Sequence, residues 1–393
     1  MKEENPAVKP AVNADKTRAA VLEVICLAGE YPMSARYLLP GDTESAQKMV
    51  ISRLKKSGII TVLGKGDEKR IRLYAKTKGH GDMAKAFEHI RDELGQDYLD
   101  HYLSISSEHR LQGDQQKMLR RLRMAEVFAL CRRAGIETRP WALPMLYADT
   151  NNEPRMTGTG FYHSRLLKNA QGTTLKLSYT RICGLLLSPG GAYAVYNVHK
   201  GLIKGMPGGE GKIKAQIYFV LLNTWRPPAD IARRENRFDA REAIIIGDNI
   251  DVALNILMDM PNRNSKKLQL NNTLDEIYYV LSDDIGVFML WMMTQPQWRT
   301  RIVNGLIKKE FISYNRVRDA RTPDGKQLLT WFEANLCVLE LLRTLESEEL
   351  QSYIILCFDW QELLIKNFLG ETIVTKTYGR NRIGDILTKE MYG

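Results

Sequence analysis

Residues 42–74 read DTESAQKMVISRLKKSGIITVLGKGDEKRIRLY, and the architecture of the N-terminal region turns on this stretch. Asp42 or Thr43 can cap a helix over Glu44–Lys56. Its periodicity is expected to bury Met49, Val50 and Leu54 and to turn Gln47, Lys48, Ser52, Arg53 and Lys55 outward. Gly58 then stops the helix. Two β-rich runs, Ile59–Leu63 and Arg70–Tyr74, flank Gly64-Lys65-Gly66-Asp67-Glu68-Lys69, which reads as a hairpin with a basic tip. Upstream, Asp15 caps a helix from Lys16 to about Ala28 with an apolar stripe of Ala20, Val21, Val24, Ile25 and Leu27. A second short helix, Ser34–Leu38, is closed by Leu39-Pro40-Gly41. Three short helices and a two-stranded wing predict a winged helix-turn-helix over 16–80. In that arrangement the third helix enters the major groove, where Gln47, Lys48, Ser52 and Arg53 meet base edges, while Lys55, Lys65, Lys69 and Arg70 reach phosphates. The same fold can instead dock proteins.

Charge follows the same division. Residues 1–80 carry 15 Lys and Arg against 9 Asp and Glu, 81–200 carry 16 against 12, and 201–393 carry 25 against 25. A basic front on a neutral back is suited to a polyanion at one end only. Residues 1–15 are polar and Pro-punctuated, and are expected to be a disordered lead-in without a secretion or transit signal. The most apolar windows, Ile285–Met293 and Tyr353–Phe358, are far shorter than the ~18 residues of a membrane span, and no internal repeat is visible. Cys26, Cys131, Cys183, Cys337 and Cys357 are widely spaced in apolar surroundings and read as reduced core residues.

Residues 81–138 form the expected helical connector. An amphipathic helix is predicted over 83–103 through Met83, Phe87, Ile90, Leu94 and Tyr98, suited to packing or dimerisation. A basic helix follows over Gln115–Ala134, carrying Lys117, Arg120, Arg121, Arg123, Arg132 and Arg133; Arg120 and Arg121 are the residues expected to extend the phosphate track. From about Arg139 to the end, strand-like runs alternate with helical ones, as in an α/β domain. Strands are predicted at Ile182–Leu187, Tyr193–Val198, Ala243–Gly247, Ile277–Leu281 and Tyr353–Phe358. Helices are predicted near Lys212–Asn223, Ile250–Met260, Ile285–Met293, Leu328–Leu345 and Trp360–Leu369.

Two segments carry a resemblance. Phe161-Tyr162-His163-Ser164-Arg165-Leu166-Leu167-Lys168 and the run Arg181–Asn197, which includes Ser188-Pro189-Gly190-Gly191, resemble uncharacterised proteins of integrative and conjugative elements of Gram-positive bacteria. At the front, Leu54, Gly58-Ile59-Ile60 and the exit Tyr74-Ala75-Lys76-Thr77-Lys78-Gly79 are similar to the winged helix of the replication-relaxation family. The resemblance covers about 16–200. It implies a winged helix joined to a restriction-endonuclease-like domain, acting in replication or mobilisation of plasmids and transposable elements.

A nuclease of that fold needs an Asp at the start of one strand and an acidic residue two before a Lys on the next, so that carboxylates hold Mg²⁺. The corresponding positions read Pro189-Gly190 and Asn197-Val198-His199, so a non-cleaving relic is expected. A different enzymatic reading uses Asp248, Asp283, Asp284 and Asp359, each placed after an apolar strand, where ligands collect in open α/β sheets. Asp before a helix is also an ordinary N-cap. Gly205–Ile213 lacks both the first Gly and the hydroxyl residue of a phosphate-binding P-loop and reads as a loop, as does the basic tail Lys376–Arg382. The six histidines form neither H-x-H nor H-E-x-x-H, and no Arg/His constellation singles out a tyrosine as nucleophile.

The expected protein is a sequence-preferring double-stranded DNA-binding protein of a mobile element, serving its replication, mobilisation or transcriptional control without catalysis, cofactor or metal. Further partners would be a second copy of the chain or a replication or conjugation protein, in the cytoplasm and away from membranes. The alternatives are a Mg²⁺-dependent nuclease or phosphotransfer enzyme built on the Asp set, and a protein-docking adaptor.

Overall fold

The computed structural model describes residues 14–39, 44–73, 83–109, 115–143, 158–169, 182–201, 242–258, 274, 276–315 and 317–389. The expected lead-in up to residue 13, the caps Asp42 and Thr43, the exit 74–79, the loop 205–213 and the helix 212–223 lie outside them. The described residues are mixed α/β with three sheets, and the chain divides into two compact units, Met1–Ala129 and Leu130–Gly393. The division falls inside the basic helix, so the stretch expected as a connector is shared between the units.

The first unit begins with α1 (Ala14–Ala28), β1 (Tyr31–Pro32) and a 3-10 turn (Met33–Leu38), followed by α2 (Glu44–Lys56), β2 (Ile60–Leu63) and β3 (Arg70–Leu73). The strands form one antiparallel sheet in the order β1-β3-β2, with Tyr31 opposite Ile71 and Ile60 opposite Leu73. Val21, Leu22, Ile25, Leu38, Val50, Leu54, Ile71 and Leu73 make the core, so the helical and strand periodicities converge on one apolar centre. The amphipathic helix predicted over 83–103 is broken at Gly95, whose φ of +100° no L side chain adopts comfortably. It becomes α3 (Met83–Leu94) and α4 (Gln96–His109). Both pack on α1. Arg18 Nε donates to Glu93 Oε1 at 2.7 Å, and the Tyr98 hydroxyl donates to Glu23 Oε1 at 3.1 Å.

The basic helix α5 (Gln115–Arg133) is joined to this unit through a buried carboxylate. Glu30, at the corner between α1 and β1, is 0% exposed. Its Oε1 accepts from Arg70 Nε at 3.1 Å and its Oε2 from Arg121 Nε at 3.1 Å.

The second unit holds two five-stranded sheets. The first contains β4 (Gly160–His163), β5 (Gly184–Ser188), β6 (Gly191–His199), β7 (Glu242–Gly247) and β8 (Glu276–Leu281), with α6 (Ser164–Asn169) after β4 and α7 (Ile250–Met258) between β7 and β8. They lie in chain order, antiparallel from β4 to β6 and parallel from β6 to β8. Then come α8 (Asp284–Thr294) and α9 (Trp298–Leu306). The second sheet contains β9 (Ile312–Asn315), β10 (Arg318–Arg321), β11 (Gln327–Thr330), β12 (Tyr353–Phe358) and β13 (Val374–Tyr378). Its helices are α10 (Leu336–Arg343), α11 (Ser347–Leu350), α12 (Asp359–Leu369) and α13 (Arg380–Thr388). Its strands too lie in chain order, two antiparallel pairings followed by two parallel ones.

The two sheets therefore repeat one topology, although no repeat is visible in the sequence. Corresponding helices meet across the unit, α7 against α12 and α8 against α13. At the join, Tyr279 N–H donates to the Ala334 carbonyl at 3.0 Å, and Tyr278 pairs with Asn335. The parallel strands β7, β8 and β12 are apolar nearly end to end, as strands covered on both faces must be.

Two secondary-structure expectations change. The helix predicted over Leu328–Leu345 is β11 followed by α10, because Leu328 and Leu329 lie between β10 and β12. Asn335 restarts the chain as a helix, its Oδ1 accepting from Cys337 N–H at 3.1 Å. The tail expected as a loop is β13 and the start of α13. The five cysteines are buried, as expected of core residues, and burial holds the Cys357 thiol up at about 12. Among the described residues no helix is long and apolar enough to cross a membrane.

Glu30→Ala is expected to leave two arginines buried without their anion and to destabilise the first unit by about 3 to 5 kcal/mol. Native-state hydrogen exchange on the full chain reads this as lost protection across 31–73; protection equal to wild type would rule out the clamp.

Candidate nucleic-acid interface

α2 turns Gln47, Val50, Ile51 and Leu54 inward. At 100° per residue the opposite stripe is Ser45, Met49, Ser52 and Lys56, with Lys48 and Lys55 on one flank and Arg53 on the other; all seven are exposed. The helix closes where Ile59 N–H reaches back to the Leu54 carbonyl at 3.1 Å and Gly58 N–H to Lys55 at 3.1 Å, with Gly58 at φ +73°. Arg53, Lys55 and Lys56 occupy its last turn, where cations offset the negative end of the helix dipole. Glu44 answers Lys48 at 2.8 Å and also bonds Arg36. The Lys48 hydrogen bond and charge, with Arg36, hold the Glu44 carboxyl below its ordinary range.

Two expectations on this helix are corrected. Gln47 was expected to face outward; it is 5% exposed and its Nε2 donates to the Leu39 carbonyl at 2.7 Å, satisfying the end of the preceding 3-10 turn. Met49 was expected in the core and is 43% exposed. A stripe count at 45, 49, 52 and 56 gives this orientation from sequence, and it adds Lys56 to the outward set.

The hairpin follows directly. Lys65 and Lys69 are exposed on the loop between β2 and β3. Arg70, expected on phosphate, instead turns to Glu30 and to the Glu68 carbonyl at 3.2 Å, leaving its side chain 17% exposed. Arg121 is corrected likewise: its side chain is 12% exposed on the other oxygen of Glu30, whereas Arg120 is exposed. The outward-facing set is thus Lys48, Ser52, Arg53, Lys55, Lys65, Lys69 and Arg120, with Met49 and Lys56 added, and Gln47, Arg70 and Arg121 serve the fold.

In the second unit Asp248, Asp283 and Asp284 take different bonding partners. Asp248 follows β7 and its Oδ2 meets His199 Nδ1 at 2.5 Å, at the end of neighbouring β6. Asp283 caps α8, its Oδ1 accepting from Ile285 and Gly286 N–H groups at 2.8 and 3.0 Å. Asp284 pairs with Arg133 at 2.6 Å. Asp359 is exposed on the first turn of α12, whose entry is fixed by Gln361 accepting from Phe358 N–H at 2.8 Å. Among the described residues no three His, Cys, Asp or Glu side chains come together as a metal site. Pro189-Gly190 sit in the β5–β6 turn, and Asn197 is buried in β6 with its Oδ1 accepting from His199 N–H at 3.0 Å.

The densest charge in this unit is structural. Arg299 on α9 donates to Glu276 Oε2 at 2.5 Å, bonds the Tyr278 hydroxyl, and stands 4.0 Å from Glu333. Its guanidinium also lies over the Trp298 and Tyr278 rings, 5.0 and 5.2 Å from their centroids. Burial pushes the Glu333 carboxyl up to about 7 against the pull of Arg299. Burial likewise raises Asp319, whose Oδ2 accepts from the Thr330 amide and hydroxyl at 2.6 and 2.7 Å.

No protein-family model, curated protein or solved structure matches this chain.

Because Glu333 is raised from an ordinary 4.5 to about 7, the folded state holds a proton there that the unfolded state has released. This group therefore removes stability as pH climbs from 4.5 to 7, by on the order of 3 kcal/mol, and the loss is complete above 7. Glu333→Gln is expected to flatten the dependence in that window and to match or exceed wild type at pH 8. Urea denaturation from pH 4 to 8 checks this by difference; parallel curves for the two proteins would show that Glu333 titrates normally.

Proposed function

We propose that the chain is a sequence-preferring double-stranded DNA-binding protein whose first unit is a winged helix-turn-helix. The observation that carries the reading is the outward face of α2, with Lys48, Ser52, Arg53, Lys55 and Lys56 exposed, leading into a β2–β3 hairpin whose loop exposes Lys65 and Lys69. An α-helix fits the major groove, and Arg and Lys are the commonest side chains on guanine edges. In this reading Arg53 and Ser52 address bases, with Lys48 and Lys56 beside them. Lys55, Lys65, Lys69 and Arg120 take phosphates, which orient the protein without reading sequence. Glu30 acts from behind, turning Arg70 and Arg121 away from the nucleic acid.

The second unit is read as a platform for assembly, with a restriction-endonuclease-like ancestry and no cleavage. Support comes from the missing carboxylates at Pro189-Gly190 and Asn197, and from the separate local partners of Asp248, Asp283 and Asp284. The resemblance of residues 16–200 to replication-relaxation proteins is the ground for assigning the chain to a mobile element, in replication, mobilisation or control of transcription. A second copy of the chain or a replication or conjugation protein would be its assembly partner.

Fluorescence anisotropy of duplex DNA with the full chain across a salt series tests the reading. Arg53→Ala is expected to weaken the preferred site by roughly tenfold to a hundredfold and to narrow its margin over random DNA. Lys65→Ala should weaken all sequences alike and lower the salt slope by about one. Gln47→Ala should leave the salt slope and sequence preference as in wild type. Binding that ignores salt and both cationic substitutions would overturn the assignment.

A further inference from the structure

Met49 stands at the centre of the α2 stripe that faces away from the core. Its neighbours at three and four residues are Ser45, Ser52 and Arg53, which are exposed, and Ala46, which is half-buried; Lys48 is adjacent and Lys56 completes the stripe, both exposed. The side chain is 43% exposed, although one helical step away Val50 is 4% exposed and well packed. The sequence thus places a large apolar group amid polar and cationic ones, on the helix assigned to the groove.

Two occupants suit such a residue. A protein partner would ordinarily meet a cluster of apolar anchors, because binding energy concentrates in desolvated apolar and aromatic contacts. Here the α2 stripe offers one large exposed apolar group, with hydroxyls and cations at Ser45, Lys48, Ser52, Arg53 and Lys56 and only the small, half-buried Ala46 beside it, which complements a polyanion. In the major groove the thymine C5-methyl is the apolar feature among hydrogen-bonding edges. Methionine is flexible and polarisable, and reaches such a methyl without demanding one backbone approach. Met49 is the sixth residue of α2, in the N-terminal half that contacts bases when a recognition helix enters the groove.

We propose that Met49 is a specificity-determining residue that reads a thymine methyl group, so that the preferred site carries thymine opposite the N-terminal half of α2. The inference rests on the DNA-binding reading above and deepens it. Arg53 and Ser52 would hydrogen-bond neighbouring bases, and Met49 would separate thymine from cytosine or uracil by apolar contact alone.

Deoxyuridine supplies the test, since it differs from thymine only by the absent methyl. The preferred duplex is first selected from a randomised library with the full chain, and each thymine is then replaced singly by deoxyuridine. Wild type is expected to lose roughly threefold to tenfold affinity at one or two positions and little elsewhere. Met49→Ala should bind the thymine duplex about as weakly as wild type binds the uracil one, and should not distinguish the two. Met49→Leu should keep most of the discrimination. The exposure of Met49 means that all three proteins should melt alike. A selected site without thymine, equal wild-type affinity for thymine and uracil, or undiminished discrimination in Met49→Ala would each overturn the inference while leaving DNA binding intact. Absence of salt-dependent duplex binding would overturn both readings together and favour protein docking.

Discussion

The buried carboxylate of Glu30 organises the N-terminal unit. A carboxylate with no exposure survives only if both oxygens are matched, and here each takes a guanidinium, one from the first residue of β3 and one from α5. The pairing joins the corner after α1, the hairpin and the basic helix, segments separated by 40 and 91 residues. It also sorts the arginines. With Arg70 and Arg121 committed to Glu30, the positive charge facing outward includes that of α2, the hairpin loop and Arg120.

The second unit solves a different problem with a comparable device. Its two sheets share strand order and sense, and β8 of the first is bonded to the chain just beyond β11 of the second. Gln361, buried at the start of α12, donates to the Phe332 carbonyl at 3.0 Å and so ties the same segment to β12. Arg299 offsets the carboxylate of Glu276 and approaches that of Glu333. Charge at this join is spent on holding elements together, and the aspartates at the strand ends cap, pair or face solvent.

Much of the local structure was legible from residue order. Glu44–Lys56 and Tyr353–Phe358 begin and end where the pattern predicted, and the hairpin strands agree to within a residue at each end. Side-chain direction was less legible. Gln47 and Met49 exchange places because residue type favours burying methionine, whereas the helix angle and the need of the Leu39 carbonyl for a donor favour burying glutamine. The single helix expected over 328–345 failed for a related reason: Leu328 and Leu329 suit either element, and pairing on both sides made them a strand.

Composition and periodicity were enough to establish a basic helical and hairpin front, an α/β back and a set of outward lysines, because these follow from spacings of two to four residues. Partners far apart in the chain needed the folded molecule. The clamp on Glu30, the repeated sheet topology and the pairings of Asp248 with His199 and of Asp284 with Arg133 all arise from strand pairing and charge pairing across dozens of residues. No local pattern encodes those pairings, since a guanidinium looks the same in sequence whether it meets solvent or a buried carboxylate.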